Sequence, residues 1–294
     1  MAIFLLSLEK VKTLLWPLKM MNLKNKNILI TGAAGGIGTA LSQQLNAAGA
    51  NLVLHGLTQE ELQTLLETLT PCDNKIETIA LDLMGDNAGP QLVAQANDIL
   101  NGLDMVINLA GIQTFKALDD LSAAQIDMQI ALNLTVPIHI DQAAASIFMQ
   151  QKSGTIVNIG STFGSIGFAQ FSVYSASKFG LRGFTEALRR EMQGSGVDVV
   201  YIAPRATQTA LNSSAMYEMA EKTKMNVDTP TDVAAQIIRA IEKQKKNTFI
   251  GFPEKFFCKV NALFPSLVDK ALAGQNKIAS GYAKTNNEST ETIS

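Results

Sequence analysis

Seven short runs rich in apolar and β-branched residues alternate with longer segments of helical periodicity, and this alternation restricts the chain more than any other feature. The runs are NILIT (27–31), NLVLH (51–55), KIETIAL (75–81), LDMVIN (103–108), GTIVNIG (154–160), VDVVYIA (197–203) and NTFIG (247–251). They read as buried strands. A repeated strand–helix order implies a parallel sheet with helices on both faces, so the expectation is an α/β fold with a doubly wound sheet of about seven strands. Such sheets bind ligands outside the carboxyl ends of their strands.

At 294 residues, 47% hydrophobic and 17% charged, the chain suits one large domain better than two small ones. A net charge of -2 and scattered Lys and Arg give no basic stripe, so no nucleic-acid partner is expected. Cys72 and Cys258 stand far apart, outside any metal-ligand spacing. They read as free thiols of a reducing, cytoplasmic protein, and no metal site is expected. No repeat or low-complexity linker interrupts the pattern. The chain divides into an N-terminal apolar extension (1–24), the strand–helix body (25–251), an amphipathic C-terminal extension (252–283) and a polar tail (284–294) of disordered composition. The run Ala2–Leu8 lacks a basic start and a cleavage site, and it is shorter than the about 20 apolar residues that cross a bilayer. It reads as an amphipathic membrane-surface helix, as a docking arm, or as sequence upstream of a start at Met20 or Met21.

Two stretches carry chemistry. The first strand ends in ITGAAGGIG, where Gly32, Gly36 and Gly38 clear the strand exit and helix entry for a pyrophosphate at the helix N-terminus. In VYSASKFG, Tyr174 and Lys178 leave one face of a helix with only small residues between them. A cation beside a phenol favours phenolate and draws its pKa down from about 10 toward neutrality, where it can exchange protons.

The motifs TGAAGGIG (31–38), LD (81–82), NLAG (108–111), LN (132–133) and NIGS (158–161), followed by Tyr174 and Lys178, resemble in order those of the short-chain dehydrogenase/reductase family. The resemblance covers roughly residues 25 to 250. It implies a Rossmann-type fold and an NAD(P)(H)-dependent oxidoreductase that reduces a ketone or oxidises a secondary alcohol. It implies catalytic roles for Asn133, Ser161, Tyr174 and Lys178. Ser161 would hydrogen-bond the carbonyl oxygen, Lys178 would also hold the ribose hydroxyls, and Asn133 would support a water-mediated proton path to Lys178. The cofactor-binding residues implied are Gly32, Gly36, Ile37, Gly38, Thr58, Asp82, Leu83, Asn108, Ala110, Gly111, Tyr174, Lys178, Pro204 and Thr209. A homo-oligomer, dimer or tetramer, is also implied.

Three places depart from the family pattern or extend it. Gly56 and Leu57 put no carboxylate at the end of the second strand, which favours NADP(H) over NAD(H), with His55 and Thr58 as candidate phosphate donors. Arg205 follows Pro204 where the family has glycine; it reads either as a partner for an acidic substrate group or as one half of a local ion pair. Leu211, Met216, Tyr217, Met219 and Met225, with Phe163, Phe168 and Phe171, point to an apolar acyl, lipid or steroid-like substrate. In the C-terminal extension, Phe252, Phe256, Phe257, Val260, Leu263, Phe264, Leu267, Val268 and Leu272 stand among Lys255, Lys259 and Lys270, the pattern of a peripheral membrane contact or of helices docked on the core or on a partner subunit. A non-catalytic nucleotide sensor or scaffold on the same fold is the alternative reading of the whole.

Overall fold

A computed structural model describes residues 20–291, with side chains described from 20 to 284; most of the N-terminal apolar extension lies outside the described residues. All seven expected strands form: β1 (Asn27–Ile30), β2 (Asn51–Gly56), β3 (Ile76–Ala80), β4 (Met105–Asn108), β5 (Gly154–Ile159), β6 (Val197–Ala203) and β7 (Asn247–Phe249). They make one parallel sheet in the order β3-β2-β1-β4-β5-β6-β7, so the chain reverses direction across the sheet between β1 and β4. That reversal opens the crevice in which such sheets bind nucleotides.

Strand alternation assigns the two faces. Ile28 and Ile30 point to a cluster with Leu41 and Leu45 of α1 (Gly36–Ala47), Leu62 of α2 (Gln59–Glu67) and Ile237 of α8 (Pro230–Glu242). Leu29 points the other way, toward Leu92 of α3 (Ala88–Leu100), Ile140 and Phe148 of α5 (Val136–Gln151) and Leu188 of α6 (Ser172–Glu191). Burial on both faces explains the nearly unbroken apolar runs of the central strands. Helix α4 (Ala123–Ile130) begins at a Ser122/Gln125 capping box and runs through a π-turn, Ala131–Thr135, into α5.

One polar cluster lies inside the second face. Asp141 of α5 is fully buried and accepts hydrogen bonds from Asn158 Nδ2 at 2.7 Å and Asn108 Nδ2 at 2.6 Å. Asn158 also donates to Thr185 Oγ1 at 3.1 Å. Burial outweighs these bonds and raises the Asp141 carboxyl to about 7.

After β7 come α9 (Glu254–Leu263) and α10 (Pro265–Glu291), with Pro265 at the first position of α10, where its missing N–H costs nothing. α10 packs on α7 (Ser214–Lys222) and buries Val268, Ala279 and Ala283. Side-chain bonds join the extension to the body, from Asn261 Nδ2 to Ser165 O at 2.8 Å and from Gln170 Nε2 to Ser280 Oγ at 2.9 Å. The apolar set of the extension is therefore divided. Val268 is buried in the body, whereas Phe252 and Leu263 are 78% and 72% exposed and Phe256, Phe264 and Leu267 are exposed with them. α10 runs on to Glu291, through much of the tail whose composition suggests disorder. A helix nucleated and packed upstream adds one backbone bond per residue, so a polar sequence can prolong it. Among the described residues no helix is long and apolar enough to cross a membrane.

Candidate active site

The glycine turn after β1 is shaped by what approaches it. Gly32 has φ +65°, and a Cβ there would stand 2.8 Å from Ala110 Cα, so the turn and the loop after β4 pack backbone to backbone. Thr31 Oγ1 fixes that loop by accepting from Leu109 N at 3.0 Å and Ala110 N at 3.1 Å. A Cβ on Gly36 would meet Thr209 Cγ2 at 2.7 Å, and one on Gly38 would run into Gly32 O. Gly35 caps α1 without a side-chain bond and the first turn carries no acid, so the helix presents bare N–H groups at the crevice. That cradle fits a dinucleotide pyrophosphate.

The catalytic candidates converge. Ser161, two residues past the end of β5, caps a short 3-10 turn, where its Oγ accepts from Phe163 N at 3.1 Å. Tyr174 and Lys178 lie one turn apart on α6, both buried, with Lys178 Nζ 5.8 Å from the centre of the Tyr174 ring. Lys178 Nζ donates to Ile159 O at 3.2 Å. A cavity of about 100 Å³ is bounded by Ile37, Gly111, Ser161, Tyr174, Lys178, Pro204 and Thr209, together with Gln113 and Asn212.

The electrostatics differ from the sequence expectation. Burial pushes the Tyr174 hydroxyl up to about 12, opposed by a hydrogen bond with Ser161, and burial brings the Lys178 ammonium down to about 8. Desolvation of the two groups therefore exceeds the mutual effect that their spacing suggests. Tyr174 keeps its proton at neutral pH.

Several expected residues serve the site from behind it. Asn133, in the π-turn, spends its whole side chain: Oδ1 accepts from Ile112 N at 2.8 Å, and Nδ2 donates to Ile112 O at 2.8 Å and Ser177 Oγ at 3.2 Å. It fixes the loop carrying Gly111 against Lys178. Asn108 turns its side chain into the Asp141 cluster, Leu83 is buried in the sheet face, and Asp82 closes a local turn by accepting from Met84 N at 2.9 Å. None of these three side chains lines the cavity. His55 is buried and neutral, donating from Nε2 to Leu81 O at 2.9 Å and accepting on Nδ1 from Gly32 N at 3.3 Å, with burial lowering its pKa; it holds the glycine turn and cannot reach a phosphate.

Thr58 is likewise engaged, its Oγ1 accepting from Glu61 N at 3.3 Å to cap α2. In return the Glu61 carboxylate folds back onto Leu57 N and Thr58 N, and a Cβ on Gly56 would meet Glu61 Oε1 at 2.6 Å. The premise of the NADP(H) expectation was a strand end without a carboxylate; Glu61 brings one there from four residues on. The signal was the capping-box spacing Thr58-x-x-Glu61. Arg205 also resolves between its two readings. It pairs with both oxygens of Asp228 at 2.7 and 2.9 Å and with Glu254 at 2.9 Å, clasping the exit of β6 to the start of α9. Tyr217 does more than add apolar surface: its hydroxyl accepts from Thr209 N at 2.8 Å and donates to Thr209 O at 2.7 Å, fixing that loop. Gln113, which donates to Asn212 Oδ1 at 3.0 Å, carried no motif and was missed.

A family model described as short chain dehydrogenase matches residues 26–220. The ketoacyl reductase HetN of a Nostoc species is 30% identical over 258 residues, covering 85% of this chain and 89% of HetN. A metagenomic short-chain oxidoreductase solved in complex with NADP is 26% identical, with a TM-score of 0.65 over 78% of this chain and 97% of that one. A short chain dehydrogenase/reductase from Burkholderia phymatum in complex with NAD shares the fold, with a TM-score of 0.76 at 21% identity over 84% of this chain and 96% of that one.

Proposed function

The chain belongs to the short-chain dehydrogenase family of oxidoreductases, and from that premise we propose that it interconverts a ketone and a secondary alcohol on an apolar substrate with a nicotinamide cofactor. The observation that carries the reading is the meeting of Ser161, Tyr174 and Lys178 at one cavity beside the glycine turn. When bound, the cofactor supplies or accepts the hydride at the carbonyl carbon. The protein handles the proton. The Tyr174 hydroxyl donates to the carbonyl oxygen, Ser161 hydrogen-bonds the same oxygen as charge gathers on it, and the Lys178 ammonium stabilises the phenolate left behind. A Tyr174 that holds its proton at neutral pH suits the reductive direction. A panel of ketones and aldehydes, followed by loss of NADPH or NADH absorbance, tests this; no turnover across the panel would leave the sensor or scaffold reading in its place.

Cofactor choice turns on Glu61. Its neighbours Gly56 and Leu57 carry no charge, while its carboxylate repels the 2′-phosphate of NADP(H) and offers an acceptor to a 2′-hydroxyl. Glu61→Gln keeps the capping box and removes the charge. The ratio of kcat/KM with NADPH to that with NADH is expected to rise by about tenfold, the effect of ~1.4 kcal/mol of lost repulsion. An unchanged ratio would remove Glu61 from cofactor selection.

The exposed Phe252, Phe256 and Phe264 beside Lys255, Lys259 and Lys270 support a peripheral contact with an anionic bilayer, aromatic rings entering the headgroup region and lysines meeting lipid charge. Because α10 buries residues against the body, substitution tests this better than truncation. Full-length protein is expected to sediment with phosphatidylserine-rich vesicles at low salt, and the triple variant Phe252→Glu, Leu263→Glu, Phe264→Glu to stay in the supernatant. Wild-type protein that stays in the supernatant defeats the membrane reading.

A further inference from the structure

We propose that a second chamber, walled by the C-terminal helices, receives the aliphatic tail of the substrate whose carbonyl meets Ser161 and Tyr174. This rests on the reductase reading above. The chamber measures about 350 Å³ and is lined mainly by Phe163, Ile166, Phe168, Met225, Val268 and Leu272. That lies within the about 300–1,000 Å³ usual for small-molecule sites. It shares Thr162, Phe163, Arg205 and Ala206 with the catalytic cavity, so the two spaces adjoin along one wall. The apolar surface is continuous across that wall: the Phe163 ring meets Tyr174 edge-on at 6.3 Å and stacks on Phe168 at 5.3 Å.

Size decides where the bulk of a substrate goes. The catalytic cavity holds about 100 Å³ and is bounded by Ile37, Gly111 and Thr209, residues expected to face the nicotinamide. What remains there admits a carbonyl and its nearest carbons. The adjoining chamber is more than large enough for the rest. A flexible chain can turn past Phe163 and Ala206 from one space into the other, whereas a fused-ring skeleton cannot bend, so the chemistry favoured is an unbranched alkyl or acyl tail.

Polarity agrees. Thr223 Oγ1 donates to Met219 O at 2.7 Å, Asn226 Nδ2 to Glu254 Oε1 at 3.0 Å, and Arg205 Nη1 to Glu254 Oε2 at 2.9 Å. Thr223, Asn226, Arg205 and Glu254 spend these groups on one another or on backbone, Thr162, Lys224 and Gln275 complete the polar part of the lining, and the rest of the wall offers an occupant apolar contact.

The test is a series of 2-alkanones from butan-2-one to decan-2-one, with kcat/KM measured using NADPH and NADH on the full chain. Binding of the two end members is measured separately by calorimetry. Each buried methylene is expected to raise kcat/KM by up to about fourfold until the chamber fills. Met225→Trp and Val268→Phe, on different elements, narrow the chamber. Each should lower the value for decan-2-one at least tenfold more than that for butan-2-one. No gain with chain length, or equal losses for both ketones, overturns the chamber while leaving the reductase reading intact. If no ketone turns over, calorimetry separates the two ideas. Decan-2-one bound more tightly than butan-2-one, and weakened by both variants, keeps the chamber and removes the reductase; equal binding of the two ketones overturns the chamber.

Discussion

Replacing Tyr174 with phenylalanine is expected to lower kcat by at least about a thousandfold and to leave cofactor affinity within a few-fold of wild type. A positioned proton donor contributes about 10²–10⁴ to a rate, and here the proton has no nearby substitute. Ser161 Oγ, which accepts from Phe163 N, has only an aliphatic hydroxyl proton to give, a far weaker acid than a phenol, and Lys178 Nζ donates to Ile159 O. The variant should fold, because the Tyr174 ring sits in an apolar cluster with Phe115, Phe168, Phe171 and Met216 that a phenylalanine ring can share. Lys178→Ala should damage both turnover and cofactor binding, since the lysine lines the same cavity and its charge stabilises the phenolate. Cofactor titration beside turnover separates the two variants. Substantial activity in Tyr174→Phe would sink the mechanism.

The second large effect concerns stability and pH. Asp141 has an ordinary value of 3.8 and a folded value of about 7. The folded state therefore keeps a proton that the unfolded chain gives up, and the unfolded state binds fewer protons throughout the interval. Stability from this group is greatest below pH about 4, falls as pH rises toward 7 and levels off above it. One proton sets a slope of up to about 1.4 kcal/mol per pH unit, so between pH 5 and 7 the loss should amount to about 2 kcal/mol. His55, held neutral by burial, acts in the opposite sense over the acidic part of this range. The readout is therefore the difference between wild type and Asp141→Asn in urea unfolding at each pH. The variant should lack the downward slope. An identical pH profile in both proteins would show that Asp141 does not titrate in this window.

The fold was legible because its strands are buried on both faces: a run such as VDVVYIA has no polar side to confuse it with a helix stripe, and β6 begins and ends where that run does. Tyr174 and Lys178 were legible because four residues on a helix is a fixed geometry. Their proton affinities were not, since desolvation depends on Phe163, Phe168 and Phe171 closing over the site. The partners of the Asn108 side chain were hidden for a related reason. Asp141 and Asn158 lie 33 and 50 residues away, and no local pattern tells an asparagine facing a ligand from one facing a buried carboxylate. Glu61 could have been found, because its cap lies within a single turn of sequence. Arg205 could not, because the pairing that decides its role joins it to Asp228 and Glu254, one before α8 and one on α9.

The packing of α10 also carries a consequence for the order in which the protein is made. The apolar cluster around Tyr174 includes Ala279 and Ala283, and Gln170 bonds to Ser280 across 110 residues of chain. At about 5–20 residues per second of synthesis, roughly 5 to 20 seconds separate the emergence of the catalytic tyrosine from that of the helix that finishes its surroundings. During that interval the glycine turn, the catalytic helix and the first six strands can already assemble on the ribosome, while the wall beside Phe163 and Phe168 stays open to water. A nascent chain thus carries its glycine turn and its catalytic tyrosine before it carries the helix that completes the apolar cluster around that tyrosine.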